Sequence, residues 1–227
     1  MASFPETFAR NLGAITDEQQ RRLQSCGAAV VGCGGLGGHV AEELVRIGVG
    51  RLHLFDPDVF SPSNGNRQLN ALRSTMGCNK AEAAARRASD IHPFSTVRAF
   101  AADFRDVEAG EWGPVDVVVD CLDDTAARRD LAALCGRLGL PLVHGAVAGW
   151  YGQVGVQMPG GDLLDRLYPA RTSPVAAPSV LSFTVAVVAG LQAAEAVKLL
   201  LGLSSVLRNN WMHIDLKECD FLIHEAS

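Results

Sequence analysis

Nine polar side chains and a run of glycines fall within the first 123 residues at spacings that suit phosphate chemistry. Gly32-Cys33-Gly34-Gly35-Leu36-Gly37 satisfies G-x-G-x-x-G, directly after the apolar run Ala28–Val31 and ahead of a helical pattern over His39–Ile47. Glycine at Gly32, Gly34, Gly35 and Gly37 permits a tight turn and a close approach of backbone amides to phosphate, and a helix start adds its positive dipole end. Asp56 lies 19 positions beyond Gly37, closing the next apolar run, where a carboxylate can hold ribose hydroxyls. The motif implies a nucleotide. Alone it does not choose between NAD, for which this fingerprint is common, and ATP.

The residues that follow favour a triphosphate. Asp58, Ser63, Asn64, Asn66, Arg67 and Gln68 come next, and Lys80 lies thirteen positions past Arg67. In a doubly wound sheet this segment leaves the second strand at its carboxyl edge, beside the glycine turn. Arg67 presents a planar fork to phosphate oxygens and Lys80 a compact charge. Two cations suit a departing pyrophosphate better than a dinucleotide, and no hydride-transfer pair is visible. Asp123, just beyond the run Val115–Asp120, is placed to hold Mg²⁺ together with phosphate oxygens. Singly, each of these is also an ordinary loop side chain; their joint position at successive strand ends carries the reading.

Such a site needs strands alternating with helices. Strands are expected at Ala28–Val31, Leu52–Phe55, Thr96–Phe100, Val115–Asp120 and Leu142–Gly145, and helices at His39–Ile47, Lys80–Ile91 and Thr125–Leu138. Continuous apolar strands separated by helices indicate a parallel sheet covered on both faces. Thr16 with Gln19 resembles a capping box that starts a short helix through Leu23. Tyr151–Gln157 alternates as a strand of another kind, and Trp211–Leu216 with Phe221–His224 suggests a closing hairpin. The expected fold class is α/β, Rossmann-like and doubly wound, a mainly parallel sheet with an antiparallel C-terminal extension. One domain over 1–227 is expected: an arm and helix to 26, a nucleotide-binding core over 27–145, and a sheet extension, crossover loop and long helix over 146–227.

With 48% hydrophobic and 20% charged residues, net charge −5 and pI about 5.7, the chain reads as globular rather than nucleic-acid-binding. Thr172–Ala194 carries no charge but contains Pro174 and Pro178 and runs into Gln192, Glu195 and Lys198, three apart on one helical face. That pattern predicts a core helix with one wet stripe, not a membrane span. No apolar core of signal-peptide length opens the chain, so a cytoplasmic location is expected. The six cysteines include no C-x-x-C pair, so neither a disulfide framework nor a zinc site is expected.

The run FDPDVFSPSNGNRQ, with GCGGLGG before it and Lys80 after it, resembles the ThiF/MoeB/HesA family of ubiquitin-activating-enzyme-like adenylyltransferases. The resemblance extends through VVDCLDDTAARRDL, PLVHGAVAGWYGQV and GLQAAEAVKLLLG, from about Phe8 to the end of the long helix except for one loop. It implies a homodimer that uses ATP and Mg²⁺ to adenylate the C-terminal glycine carboxylate of a small ubiquitin-like sulfur carrier ending in Gly-Gly. It also implies that Gly34, Gly35 and Gly37 line the nucleotide loop, Asp56 holds ribose, and Asn64, Arg67 and Lys80 contact phosphates. Asp123 would hold magnesium, and Arg10, in FARN, would reach the neighbouring subunit's ATP. Other readings are a peptide or tRNA-linked carboxylate as substrate, and a silent nucleotide-binding regulator.

The chain departs from the family's pattern in several places. The zinc-binding C-x-x-C pairs of many relatives are missing, and the crossover loop at about 160–178 has no cysteine. Position 65 is Gly where a bulky apolar residue is usual, and position 124 is Asp where Asn is usual. The reaction is therefore expected to stop at the acyl-adenylate. Cys33, Cys121 and His144, though near the expected cleft, are read as structural.

Overall fold

The apolar runs become the inner strands of one eight-stranded sheet in the computed structural model, which describes residues 3–169 and 179–225. The strands are β1 (Gly27–Val31), β2 (Arg51–Phe55), β3 (Thr96–Phe100), β4 (Val117–Asp120), β5 (Leu142–Ala148), β6 (Tyr151–Gln157), β7 (Trp211–Asp215) and β8 (Asp220–His224). Their order is β3-β2-β1-β4-β5-β6-β7-β8; the first five are parallel and the last three join antiparallel. The helices are α1 (Phe4–Thr7), α2 (Asp17–Ser25), α3 (Gly35–Ile47), α4 (Lys80–Ile91), α5 (Thr125–Leu138), α6 (Leu163–Leu167) and α7 (Ser182–Leu201).

Both faces of the central strands β1 and β4 are covered, and both are buried throughout, whereas the edge strand β3, with Thr96 and Arg98, is largely exposed. Ala28, Val30, Leu52, Leu54, Val117 and Val119 face a core shared with α3, α4 and α7. Ala29, Val31, Phe55 and Val118 face the opposite core, with Ala127 and Leu131 of α5 and Leu163 and Leu164 of α6. Successive residues alternate between the two cores, as the strand period of two requires.

The expected α/β class and the closing hairpin are observed, as is the capping box: Gln19 N–H donates to Thr16 Oγ1 at 3.1 Å and Thr16 N–H to Gln19 Oε1 at 2.8 Å. Several bounds differ for physical reasons. β5 runs on to Ala148 because Gly145–Ala148 pair with β6. β4 starts two residues late because Asp116 turns its carboxylate to the Gly27 N–H, 2.7 Å away. α6, within the expected crossover loop, has no side-chain cap to announce it; residues 170–178, including Pro174 and Pro178, lie outside the described residues.

The expected wet stripe on α7 is corrected. Gln192 is fully buried and Glu195 nearly so. Gln192 Nε2 donates to the Asp120 carbonyl at 2.8 Å, and Glu195 pairs with Lys198 at 2.5 Å. Buried polar groups need such partners, and Gly145 leaves room for Gln192: a Cβ there would lie 2.3 Å from its side chain. By length and composition alone α7 could cross a membrane, but more than half of its apolar window is buried inside the protein.

Candidate active site

Winding outward from β1 leads to β2 and β3, whereas β4 leads the other way to β5. Where the order reverses, the carboxyl ends of β1 and β4 leave a crevice. A cleft of about 500 Å³ opens there. Its wall includes nine of the residues expected from the sequence: Gly32, Gly34, Gly35, Asp56, Asp58, Arg67, Gln68, Lys80 and Asp123. A second hollow, about 630 Å³, between α5 and the Gly160–Gly161 turn, contains none of them.

The glycine turn is built by close packing. Gly32 has φ +89°, and a Cβ there would sit 2.7 Å from the Cys121 carbonyl oxygen of β4's exit. α3 begins at Gly35, four residues ahead of the expected His39, because tight docking on β1 outweighs the helix penalty of its glycines, about 1 kcal/mol each. No side chain caps its N-terminus at Gly34, so first-turn amides remain to receive an anion at the cleft. Gly37 does not line the cleft; a Cβ there would lie 1.8 Å from the Gly32 carbonyl oxygen, so this glycine seats helix on strand.

Asp56, 6% exposed, ties this turn to the end of β2. Its Oδ2 accepts from Cys33 N–H at 2.7 Å and its Oδ1 from Asp58 N–H at 2.9 Å. Burial pushes the Asp56 carboxyl up, opposed by those two amides. Lys80 opens α4, and its buried Nζ lies 2.8 Å from Asp58 Oδ2. Arg67 Nη1 donates to the Ser63 carbonyl at 3.1 Å and to Asn66 Oδ1 at 2.9 Å. Both cations line the same cleft as the glycine turn. Gln68, nine-tenths buried, leaves its Oε1 without a hydrogen-bond partner among the described residues, an acceptor that a ligand hydroxyl would satisfy.

Asp123 is exposed and borders the cleft just after β4. Among the described residues no three acidic, His or Cys side chains gather into a metal cage. The donor set therefore fits Mg²⁺ held by a carboxylate and the ligand's own phosphates, not by protein alone. Asp124 caps α5, accepting from Ala127 N–H at 2.8 Å, a task Asn performs equally well, so the departure at that position has a structural account.

Two other expected residues lie off the cleft wall. Asn64 is buried and accepts from Ser61 N–H at 2.9 Å, locking the turn that delivers Arg67. Arg10 is exposed beyond α1, outside the cleft. The sequence reading missed the apolar half of the wall, where Val31, Phe55, Phe104, Leu122 and Ala127 offer a slot of base-like character. Arg105 stands beside it, held by Asp103 at 2.7 Å and Asp130 at 3.1 Å. The available signal was position: Phe104 and Arg105 follow β3, whose carboxyl end lies on the same sheet edge.

Cys33 and Cys121 are buried, and burial pushes both thiols well above their usual range. Burial likewise pushes Cys135 up to about 12. His144 is fully buried and does not line the cleft.

A family model described as the ThiF family matches residues 8–227. The chain is 35% identical over 217 residues to the SAMP-activating enzyme E1 of Haloferax volcanii, covering 91% of this chain and 79% of that one. It is 36% identical over 225 residues to the sulfur carrier protein adenylyltransferase of Thermus thermophilus, covering 92% and 82%. With the molybdopterin-synthase adenylyltransferase of Escherichia coli it shares 32% over 208 residues, covering 89% and 84%. Among solved structures, Escherichia coli MccB with ATP superposes with TM-score 0.77 at 23% identity, over 91% of this chain and 65% of that one, a likeness of fold.

Proposed function

The chain belongs to the ThiF family, and from that premise we propose that it is an adenylyltransferase acting on the C-terminal carboxylate of a small ubiquitin-like sulfur carrier, with ATP as the nucleotide. The carrying observation is the cleft itself: an uncapped glycine-rich helix start, two cations and an exposed carboxylate around one crevice. The relatives named above as adenylyltransferases support the reaction class.

In this reading the carrier's carboxylate, ionised at neutral pH, attacks the α-phosphorus, so no general base is needed. A carboxylate oxygen–phosphorus bond forms, the bond to the bridging oxygen breaks, and pyrophosphate leaves with that electron pair. First-turn amides of α3, Arg67 and Lys80 stabilise the charge that grows on phosphate and leaving group. Asp58 releases Lys80 as phosphate arrives. Asp123 would hold Mg²⁺, which when bound neutralises phosphate oxygens. Arg10, exposed and outside its own cleft, suits donation to a neighbouring subunit in a homodimer.

ATP–pyrophosphate exchange with Mg²⁺ and candidate carriers ending in Gly-Gly tests the proposal. Exchange that needs one carrier and its free C-terminal carboxylate is expected. ATP binding without exchange would transfer the case to another carboxylate or to a silent binding protein. Mixing Arg10→Ala with Asp123→Ala protein under subunit exchange is the companion test, and restored activity would place Arg10 in trans.

The buried thiols accord with a reaction that stops at the acyl-adenylate. At pH 8, iodoacetamide should label exposed Cys219 rapidly and leave Cys33, Cys121 and Cys135 unmodified in the native protein, as mass spectrometry would read. A thioester trapped on any cysteine after reaction with the carrier would overturn this.

A further inference from the structure

Beneath the loop that carries Asp123 lies a buried polar group that the proposed chemistry leaves unused. Asp120, ending β4, and His144, in β5, are both fully buried. His144 Nδ1 lies 2.7 Å from Asp120 Oδ2, and Leu122 N–H donates to Asp120 Oδ1 at 3.0 Å. Arg128 of α5, 6% exposed, donates from Nε to the Leu122 carbonyl at 3.1 Å, and Nη2 donates to the same oxygen. Both backbone polar groups of the residue preceding Asp123 are thus held by buried side chains.

The remaining arm reaches further. Arg128 Nη1 donates to the Tyr168 hydroxyl at 2.5 Å, as does Gln153 Nε2 at 2.5 Å. The same hydroxyl lies 3.1 Å from His144 Nε2. Its partners assign the tautomer: Nδ1 donates to the carboxylate, so Nε2 accepts, and the Tyr168 hydroxyl donates to it. Tyr168 follows α6, 40 positions past Arg128.

We propose that Tyr168 is a positioning residue: its hydroxyl completes the hold of Arg128 and His144 on Leu122 and so sets the Asp123 carboxylate at the phosphate end of the cleft. Removing the hydroxyl takes the acceptor from Arg128 Nη1 and leaves His144 Nε2 with Gln153 Nε2 alone, 3.0 Å away. Arg128, which also lines the cleft, then turns to find a partner for Nη1, and its grip on Leu122 slackens. The ring itself, 5.4 Å from His144 between centroids, still fills its space in Tyr168→Phe.

Tyr168→Phe should lower kcat for ATP–pyrophosphate exchange about tenfold with KM for ATP within about twofold, the split expected when an interaction serves the transition state alone. Amide hydrogen exchange at Leu122, Asp123 and Asp124, followed by NMR without nucleotide, should quicken by about tenfold or more. His144→Asn keeps a donor towards Asp120 but removes the acceptor for Tyr168, and should reproduce the same split. A purely structural hydroxyl would lower the melting temperature while leaving kcat and these three amides unchanged, and that result overturns the proposal. The kinetic arm rests on the adenylation reading. If the wild-type protein exchanges nothing, that reading falls by itself and the amide measurement still decides the role of Tyr168.

Discussion

Asp123→Ala is expected to reduce ATP–pyrophosphate exchange by about 10²–10³-fold, the range for deleting one group that stabilises transition-state charge. Asp123 is exposed, follows β4 and borders the cleft, so its loss removes chemistry and little packing. Stability should stay within about 0.5 kcal/mol of wild type, as for surface substitutions. ATP should still bind, because the α3 amides, Arg67 and Lys80 remain. Raising the Mg²⁺ concentration should recover part of the rate if the carboxylate holds the metal. Undiminished exchange in this variant would remove Asp123 from the site and leave the metal without a protein ligand.

Gly37→Ala should damage the fold itself. The added Cβ would stand 1.8 Å from the Gly32 carbonyl oxygen and 3.2 Å from Val30 Cγ1, and the oxygen belongs to the backbone of the turn. Relief requires moving α3 off β1, where Val40, Leu44 and Val45 are buried. A loss of about 4–5 kcal/mol is expected, the scale of an exceptional point mutation. At about 2–4 °C per kcal/mol for a chain of this size, the melting temperature should fall by roughly 10–20 °C. Gly34→Ala is the control. There the nearest atom is the end of the Gln68 side chain at 3.2 Å, which can swing aside. That variant should melt near wild type yet bind ATP more weakly. Wild-type melting of Gly37→Ala would show that the helix docks on the strand less tightly than described.

How much of this was legible beforehand depended on whether a residue's partners were near in sequence. α4, β3, α5 and β6 are read to the residue because caps, glycines and apolar periodicity lie within each segment. The cleft was legible because its polar residues follow strand ends, and topology alone brings those ends together. Asn64 was assigned to phosphate by resemblance, but its buried carbonyl group serves Ser61 three positions away. Gln192 looked wet because only its own helix was in view; its partner, the Asp120 carbonyl, is 72 positions distant. The group around Tyr168 joins β4, β5, α5, β6 and the residue after α6. No periodicity announces a contact drawn from five places.

The reversal of strand order between β1 and β4 also bears on how the molecule is assembled. β1 meets β2 within about one helix of chain, but its contact with the β4 side spans 89 positions, as between Gly27 and Asp116. Joining such distant segments is the slow part of building a parallel sheet, because the intervening chain must be ordered before the contact rewards it. The two walls of the cleft come from opposite sides of that late junction: Asp56, Arg67 and Lys80 from one, Asp123 from the other. A nucleotide present while the chain collapses therefore has no finished cradle to select. A nucleotide that binds the completed cleft would hold the molecule against unfolding by mass action.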